Sequence, residues 1–193
     1  MIKAWSKVGE AVVLAKKYGK SFISQMFLNP TTGQEEEFAL FGQKDWSVVL
    51  MVTTKGRVLV VRQYKQGCDK IVDELPAGTA DFKDETAKEV ALRESFQETR
   101  HKIASLVELM PQWIATRSSW TRFHPFLALR CSLSPDYVPI VDPSEEVEYR
   151  EVSFREWIDM ILSGQVEEPS AIVATFLALP YLGVKFVIPP ELQ

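Results

Sequence analysis

ELPAGTADFKDETAKEVALRESFQET, residues Glu74 to Thr99, decides the fold. Its first five residues carry a strand into a Pro/Gly turn. Thr86 and Glu89 have the spacing of a capping box, which predicts a helix from near Ala87 to near Arg100. On that helix Glu94 and Glu98 lie one turn apart on a shared face, with Gln97 beside them. Like charges at this spacing cost an isolated helix about 0.2–0.5 kcal/mol, so something outside the helix is needed to offset them. Carboxylate and amide oxygens suit Mg²⁺, or Mn²⁺ in its place, better than zinc. Such an ion would clamp a pyrophosphate and polarise a water for attack on phosphorus. The competing reading is a solvated acidic helix face.

Working outward, SVVLMVTT and RVLVVRQY flank Lys55-Gly56 and read as a hairpin, and KIVDELPAG begins as a further strand. Upstream, residues 10–16, 21–28 and 36–40 read as short strands, the last two joined by the turn NPTTG. Downstream, residues 102–115 and 120–133 read as strands around the loop ATRSS. Ser153 and Glu156 form a second capping box. Behind it Phe154, Trp157, Ile158, Ile161 and Leu162 fall on one helical face, a core stripe. Ser170 is placed to cap a last helix over residues 171–179. Strands and helices interleave without a regular βαβ repeat, which favours a mixed α+β sandwich over a doubly wound sheet.

The chain has 193 residues, 46% of them hydrophobic, and a net charge of -4. That is enough for one sizeable core, or one domain with a small accessory element. Its acidic balance argues against a nucleic-acid-wrapping protein, which needs a basic face. Two isolated cysteines and two histidines support neither a zinc site nor a disulfide framework. A reduced, cytoplasmic setting is the simpler reading. The apolar run at residues 11–15 is too short for a signal segment or a membrane span. No Walker loop, GxGxxG or GxSxG is present.

Taken whole, residues 74–99 resemble the Nudix box: a Gly, a Glu, then Arg-Glu, a hydrophobic residue, any residue, Glu-Glu, any residue and Gly. Gly78, Glu85, Arg93, Glu94 and Glu98 occupy box positions. VLVVRQYKQG before the box and DPSEEVEYREVSFREW after it look like the ADP-ribose pyrophosphatase branch of that superfamily. The resemblance covers residues 46 to 180, and the N-terminal strands look like that branch's accessory sheet. It implies a Nudix α/β/α sandwich with a mixed sheet over residues 46–193, preceded by a small antiparallel β element over residues 1–45. The box departs from the pattern in several places. One extra residue lies between Gly78 and Glu85, where a longer loop costs little. Ser95 replaces a hydrophobic residue, with Phe96 or Leu92 to compensate. Gln97 replaces the first Glu of the pair, Arg100 the closing Gly, and His101 the hydrophobic residue after it. A left-handed Arg100 would be strained by roughly 1 kcal/mol or more, so the helix is expected to end differently.

Carried over by position, the resemblance makes Glu94 and Glu98 the principal Mg²⁺ ligands, with the Ala77 carbonyl and the Gln97 amide oxygen as further donors. Arg93 belongs to the catalytic set, where it is expected to tie the helix to Glu85 or Glu98 rather than touch substrate. Arg62, Glu74 and Lys65 fall on the substrate side, Lys65 standing where the branch has a phosphate-binding Arg. Glu145 or Glu146 in the late acidic loop is the general base, with a slight preference for Glu145. Arg117 and Trp120, on or beside ATRSS, are placed to steer a phosphate and stack on a base. His124, in an alternating aromatic strand, reads as a packed residue.

The implied activity is Mg²⁺-dependent hydrolysis of ADP-ribose or another nucleotide sugar to a nucleoside monophosphate and a sugar phosphate. The alternative is a Nudix-fold module, impaired in catalysis, that senses nucleotides or binds proteins. The branch is commonly dimeric, and the N-terminal strands permit a homodimer or a monomer. No nucleic-acid or membrane partner is expected.

Overall fold

The structure, a computed structural model, describes residues 1–135, 146–187, 189 and 191. It divides into two compact units: residues 1–45 with 112–123, and residues 46–111 with 124–193.

The first unit is built on an antiparallel three-stranded sheet, β1 (Ser6–Lys17), β2 (Lys20–Leu28) and β3 (Glu35–Gly42), in that order. Between β2 and β3 the turn is tied by Asn29, whose side-chain oxygen accepts from Thr31 N at 2.9 Å. This is the Asn-led turn chemistry that NPTTG advertised. Residues 114–121 are seated on the end of β3. Phe41 N donates to Ser118 O at 2.9 Å, and Gln43 N to Thr121 Oγ1 at 2.8 Å.

In the second unit, β4 (Trp46–Thr53) and β5 (Arg57–Lys65) are antiparallel, and Gly56 N donates to Thr53 O in the turn between them. Val48–Met51 and Val58–Val61 are buried at every position. They read as continuous apolar runs because both faces are covered. The two helices α1 (Ala87–Thr99) and α3 (Pro169–Ala178) both pack on β4, and α2 (Phe154–Leu162) packs on β5. The remaining strands are β6 (Lys70–Glu74), β7 (Ala77–Thr79), β8 (His101–Lys102), β9 (Ser105–Glu108), β10 (Gln112–Trp113, in the first unit), β11 (Arg122–Leu133) and β12 (Val147–Ser153). The sheet runs β11-β4-β5-β12, with β6 on β5, β7 on β4, and β8 and β9 on β11. An α+β sandwich preceded in the chain by a small antiparallel β element is the architecture expected from the sequence.

Several local expectations are corrected. The predicted strand over 102–115 breaks into three short pieces, because successive segments pair with different stretches of β11. Leu162 is 78% exposed, so the α2 stripe ends before it; Trp157 and Met160 carry the burial. Trp157 Nε1 donates to Thr175 Oγ1 at 2.9 Å and pins α2 to α3. α3 starts two residues earlier than a Ser170 cap allows, with Pro169 at its first turn and Glu168 as the cap that accepts from Ser170 N.

Helix α1 has both halves of its capping box. Arg100 does end it in the left-handed region, at φ 63°, contrary to the expectation from strain. Its N–H donates to Phe96 O and its carbonyl accepts from Ser134 N, both at 2.9 Å, so satisfied backbone groups hold the conformation. Leu92 is exposed and does not compensate for Ser95, which is fully buried. Ser95 Oγ has no hydrogen-bond partner among the described residues. A buried, unpaired hydroxyl is destabilising. Ser95→Ala is therefore expected to raise stability by about 1 kcal/mol, a Tm increase of roughly 2–4 °C in thermal denaturation.

Candidate active site

The site is stitched together where β7 meets α1. β7 pairs with β4 in the register Trp46↔Thr79, Ser47↔Gly78, Val48↔Ala77. Pro76 O accepts from Val49 N at 2.9 Å, so the turn after Glu74 is anchored to the central strand. α1 packs against β7. Glu98 Oε2 accepts from Ala77 N at 3.1 Å. Glu94 lies so close over Gly78 that a Cβ there would sit 2.0 Å from Glu94 Oε1. Gly78 is thus required for close approach, not for an unusual backbone angle.

Arg93 organises the acids around it. Its Nε donates to Glu85 Oε1 at 2.8 Å, and its Nη2 to Glu85 Oε2 at 3.1 Å and Thr79 O at 2.8 Å. Nη1 reaches Glu94 Oε1 at 2.8 Å, Gln97 Oε1 at 3.1 Å and Asp81 Oδ2 at 3.1 Å. Of the two partners named from the sequence, the structure supplies Glu85. This bidentate pairing holds the Glu85 carboxyl below its ordinary pKa. Burial, with Glu94 beside it, pushes the Glu98 carboxyl well above its own. Glu74 is raised too, by burial, although Lys65 Nζ lies 2.6 Å from its Oε1 and Gln63 Nε2 also donates to it. Glu98 feels the charge of both Glu94 and Glu74.

The chemistry of this donor set fits a hard divalent cation. Glu94, Glu98 and the Ala77 carbonyl are oxygen donors, and a cation beside the Glu98 carboxyl would offset the burial that raises its pKa. Among the described residues, no three His, Cys, Asp or Glu side chains converge to hold a metal ion on their own. Waters or a bound diphosphate would have to complete the coordination of an Mg²⁺ ion, as is usual for that ion.

A family model, the NUDIX domain, matches residues 43–171. The chain belongs to the NUDIX family. It is 28% identical over 137 residues to the ADP-ribose pyrophosphatase of Bacillus subtilis (strain 168), a match covering 71% of each chain. A solved structure described as an ADP compounds hydrolase superposes with a TM-score of 0.79 at 14% identity, covering 95% of this chain and 96% of that one. The expected family and fold are borne out.

Within this NUDIX domain, Ala77, Arg93, Glu94, Gln97 and Glu98 come together, with Glu74 and Lys65 within electrostatic reach of Glu98. Arg62 instead forks onto Asp73, its Nε 3.2 Å from Oδ1 and its Nη2 3.3 Å from Oδ2. Asp73, buried behind Glu74, also takes Gln165 Nε2 at 2.9 Å, a knot that sequence reading missed because its members are far apart in the chain. Glu146 is exposed just before β12, and Glu145 lies outside the described residues.

Arg117 lies in the first unit, where it lines a cavity of about 840 Å³ with Trp5, Phe27, Phe38, Trp113 and Trp120. Phe38 meets Trp5 and Phe27 edge to face, each pair 5.5 Å between ring centroids, so these rings form a fixed wall. Of these aromatics the sequence pointed only to Trp120. Gly42 lies flat beneath Trp120: a Cβ at Gly42 would stand 2.2 Å from Trp120 Cε2.

Proposed function

We propose that this NUDIX protein is a Mg²⁺-dependent pyrophosphohydrolase that cleaves a nucleoside diphosphate linked to a further moiety, ADP-ribose or another nucleotide sugar being the leading substrate class. The single observation behind it is the pair Glu94 and Glu98, stitched to β7 through Gly78 and Ala77, on a box that Arg93 holds rigid. The Bacillus relative's name supports the substrate class.

In this reading Glu94, Glu98 and the Ala77 carbonyl hold the cation, which supplies charge neutralisation and a polarised water. Water attacks one phosphorus, the bridging P–O bond breaks, and the products are a nucleoside monophosphate and a sugar phosphate. Arg93 keeps the acids in place rather than touching substrate. Lys65 offers a point charge to a phosphate, and Glu145 or Glu146 takes the proton of the attacking water. The aromatic cavity of the first unit, with Arg117 at its lining, suits the stacking of a base and the steering of a phosphate.

A panel of nucleotide sugars, dinucleotides and nucleoside triphosphates with Mg²⁺ tests the reading; AMP released fastest from ADP-ribose is the expected result. Turnover confined to nucleoside triphosphates would sink the substrate assignment. The rival reading, a nucleotide-sensing or protein-binding module without turnover, draws on Gln97 and Arg100, which stand where the box has an acid and its closing glycine. Binding of ADP-ribose by calorimetry with no product formed would favour it.

Gly42→Ala tests the cavity's part. The new methyl displaces the Trp120 ring, and base stacking on an aromatic ring is worth about 1–3 kcal/mol. Affinity of the cavity for a free nucleoside, read by quenching of tryptophan fluorescence, is expected to fall roughly ten- to a hundredfold.

A further inference from the structure

We propose that the aromatic cavity of the first unit reads a nucleotide at both ends, Glu36 accepting an amino N–H of the base and Lys7 meeting a phosphate. The inference rests on the reading above that this cavity takes the base, and it adds the two residues that select the ligand. Across the sheet Lys7 pairs with Phe27, and Phe27 with Glu36. Residues opposite one another on neighbouring strands share a face, so these side chains form one row, and all of them line the cavity. At about 4.8 Å per strand the outer two backbones stand about 10 Å apart, with Phe27 between an ammonium and a carboxylate.

The carboxylate is held in place by the β2–β3 turn. Asn29 Oδ1 accepts from Thr31 N and Thr32 N, and Asn29 Nδ2 donates to Glu36 Oε1 at 2.8 Å. A carboxylate is acceptor-only and has sites for about four donors, so the same group can still take an N–H from a ligand. Lys7 and Arg117, the cations of the lining, have no ion-pair partner among the described residues. A base stacked on Phe27 thus meets an acceptor on one side and a positive charge on the other. The 6-amino group of adenine is a donor and suits Glu36, while a phosphate suits the point charge of Lys7. A purely apolar ligand fits less well, because it would take water from both charges and give neither a partner.

The test uses the full chain freed of divalent ions, with quenching of tryptophan fluorescence as the readout. Its probes are AMP, adenosine and purine riboside, which is adenosine without the amino group. In the wild type AMP is expected to bind about fivefold more tightly than adenosine at low ionic strength, a margin that shrinks with added salt. Adenosine should bind about tenfold more tightly than purine riboside, the difference of one hydrogen bond to a charged group. Glu36→Ala should bring adenosine down to the level of purine riboside and leave purine riboside within about twofold of wild type. Lys7→Met should bring AMP down to the level of adenosine and leave adenosine unchanged. Equal binding of adenosine and purine riboside by the wild type, an equal loss of both in Glu36→Ala, or an undiminished AMP margin in Lys7→Met overturns the proposal. So does a wild type that binds none of the probes. The hydrolase reading is judged separately, by AMP released from ADP-ribose with Mg²⁺; its failure with these affinities intact would leave the nucleotide row standing.

Discussion

Replacing Glu98 by Gln is expected to cut kcat/KM for ADP-ribose about a hundred- to a thousandfold while making the cation-free protein more heat-stable at pH 8. The two effects have one cause. Gln fills the same volume, and its oxygen can still accept from Ala77 N, so the seam between α1 and β7 survives. What disappears is a charge. Without it, one of the two acidic ligands to the cation is gone, and losses of this kind cost on the order of 10²–10³ or more in rate. The stability gain follows from the raised pKa of the Glu98 carboxyl, caused by burial first and by Glu94 next. Above the unfolded value the native state binds more protons than the unfolded chain, so wild-type stability falls as pH rises toward the folded value. The variant has no such loss from this position. Its Tm advantage should therefore be absent near pH 4 and grow as pH rises. Added Mg²⁺ should raise the wild-type Tm by mass action and leave the variant nearly unmoved. An equal Mg²⁺ response in both proteins would remove Glu98 from the ligand set.

The features legible from residues 74–99 alone are those fixed by short-range chemistry. The α1 start was readable because the Thr86/Glu89 box closes within one turn. The shared face of Glu94 and Glu98 follows from helix periodicity. The β4–β5 hairpin was readable because two dense apolar runs flank a single Lys-Gly pair. What the sequence could not supply depends on long-range partners. Arg93 had two acids within plausible reach, and only the folding of residues 79–86 brings Glu85 to it. Asp73 is held by side chains from β5, β12 and the segment after α2, so no local pattern marks it. The aromatic cavity needs Trp5 and Trp113 on one lining, though more than half the chain separates them in sequence. Arg100 shows the converse: the local cost of a left-handed residue was real, and tertiary hydrogen bonds outweighed it.

Gly78→Ala should lower kcat about a hundred- to a thousandfold with almost no change in Tm, an outcome that a purely structural glycine would not give. Gly78 does not have a positive φ, so alanine meets no backbone strain there, and losing a glycine from the unfolded chain stabilises by about 0.4–1 kcal/mol. The conflict is confined to one side chain. The new Cβ would lie 2.0 Å from Glu94 Oε1, 2.1 Å from Cδ and 2.6 Å from Cγ. Strand β7 cannot retreat, because Gly78 is paired with Ser47 on β4 and Ala77 N is tied to Glu98. Glu94 therefore has to swing away, pulling its carboxylate from Arg93 and from the cation position, and a displacement of about 1 Å at a reacting centre costs on the order of 10²-fold. Shortening the displaced side chain should relieve the clash. Gly78→Ala combined with Glu94→Asp is expected to recover activity above Gly78→Ala alone, although Glu94→Asp by itself is harmful. That sign reversal in a double-mutant cycle is the signature of a glycine acting through its neighbour. Simple additivity would mean that Gly78 matters for some other reason, and the cradle under Glu94 would lose its place in the mechanism.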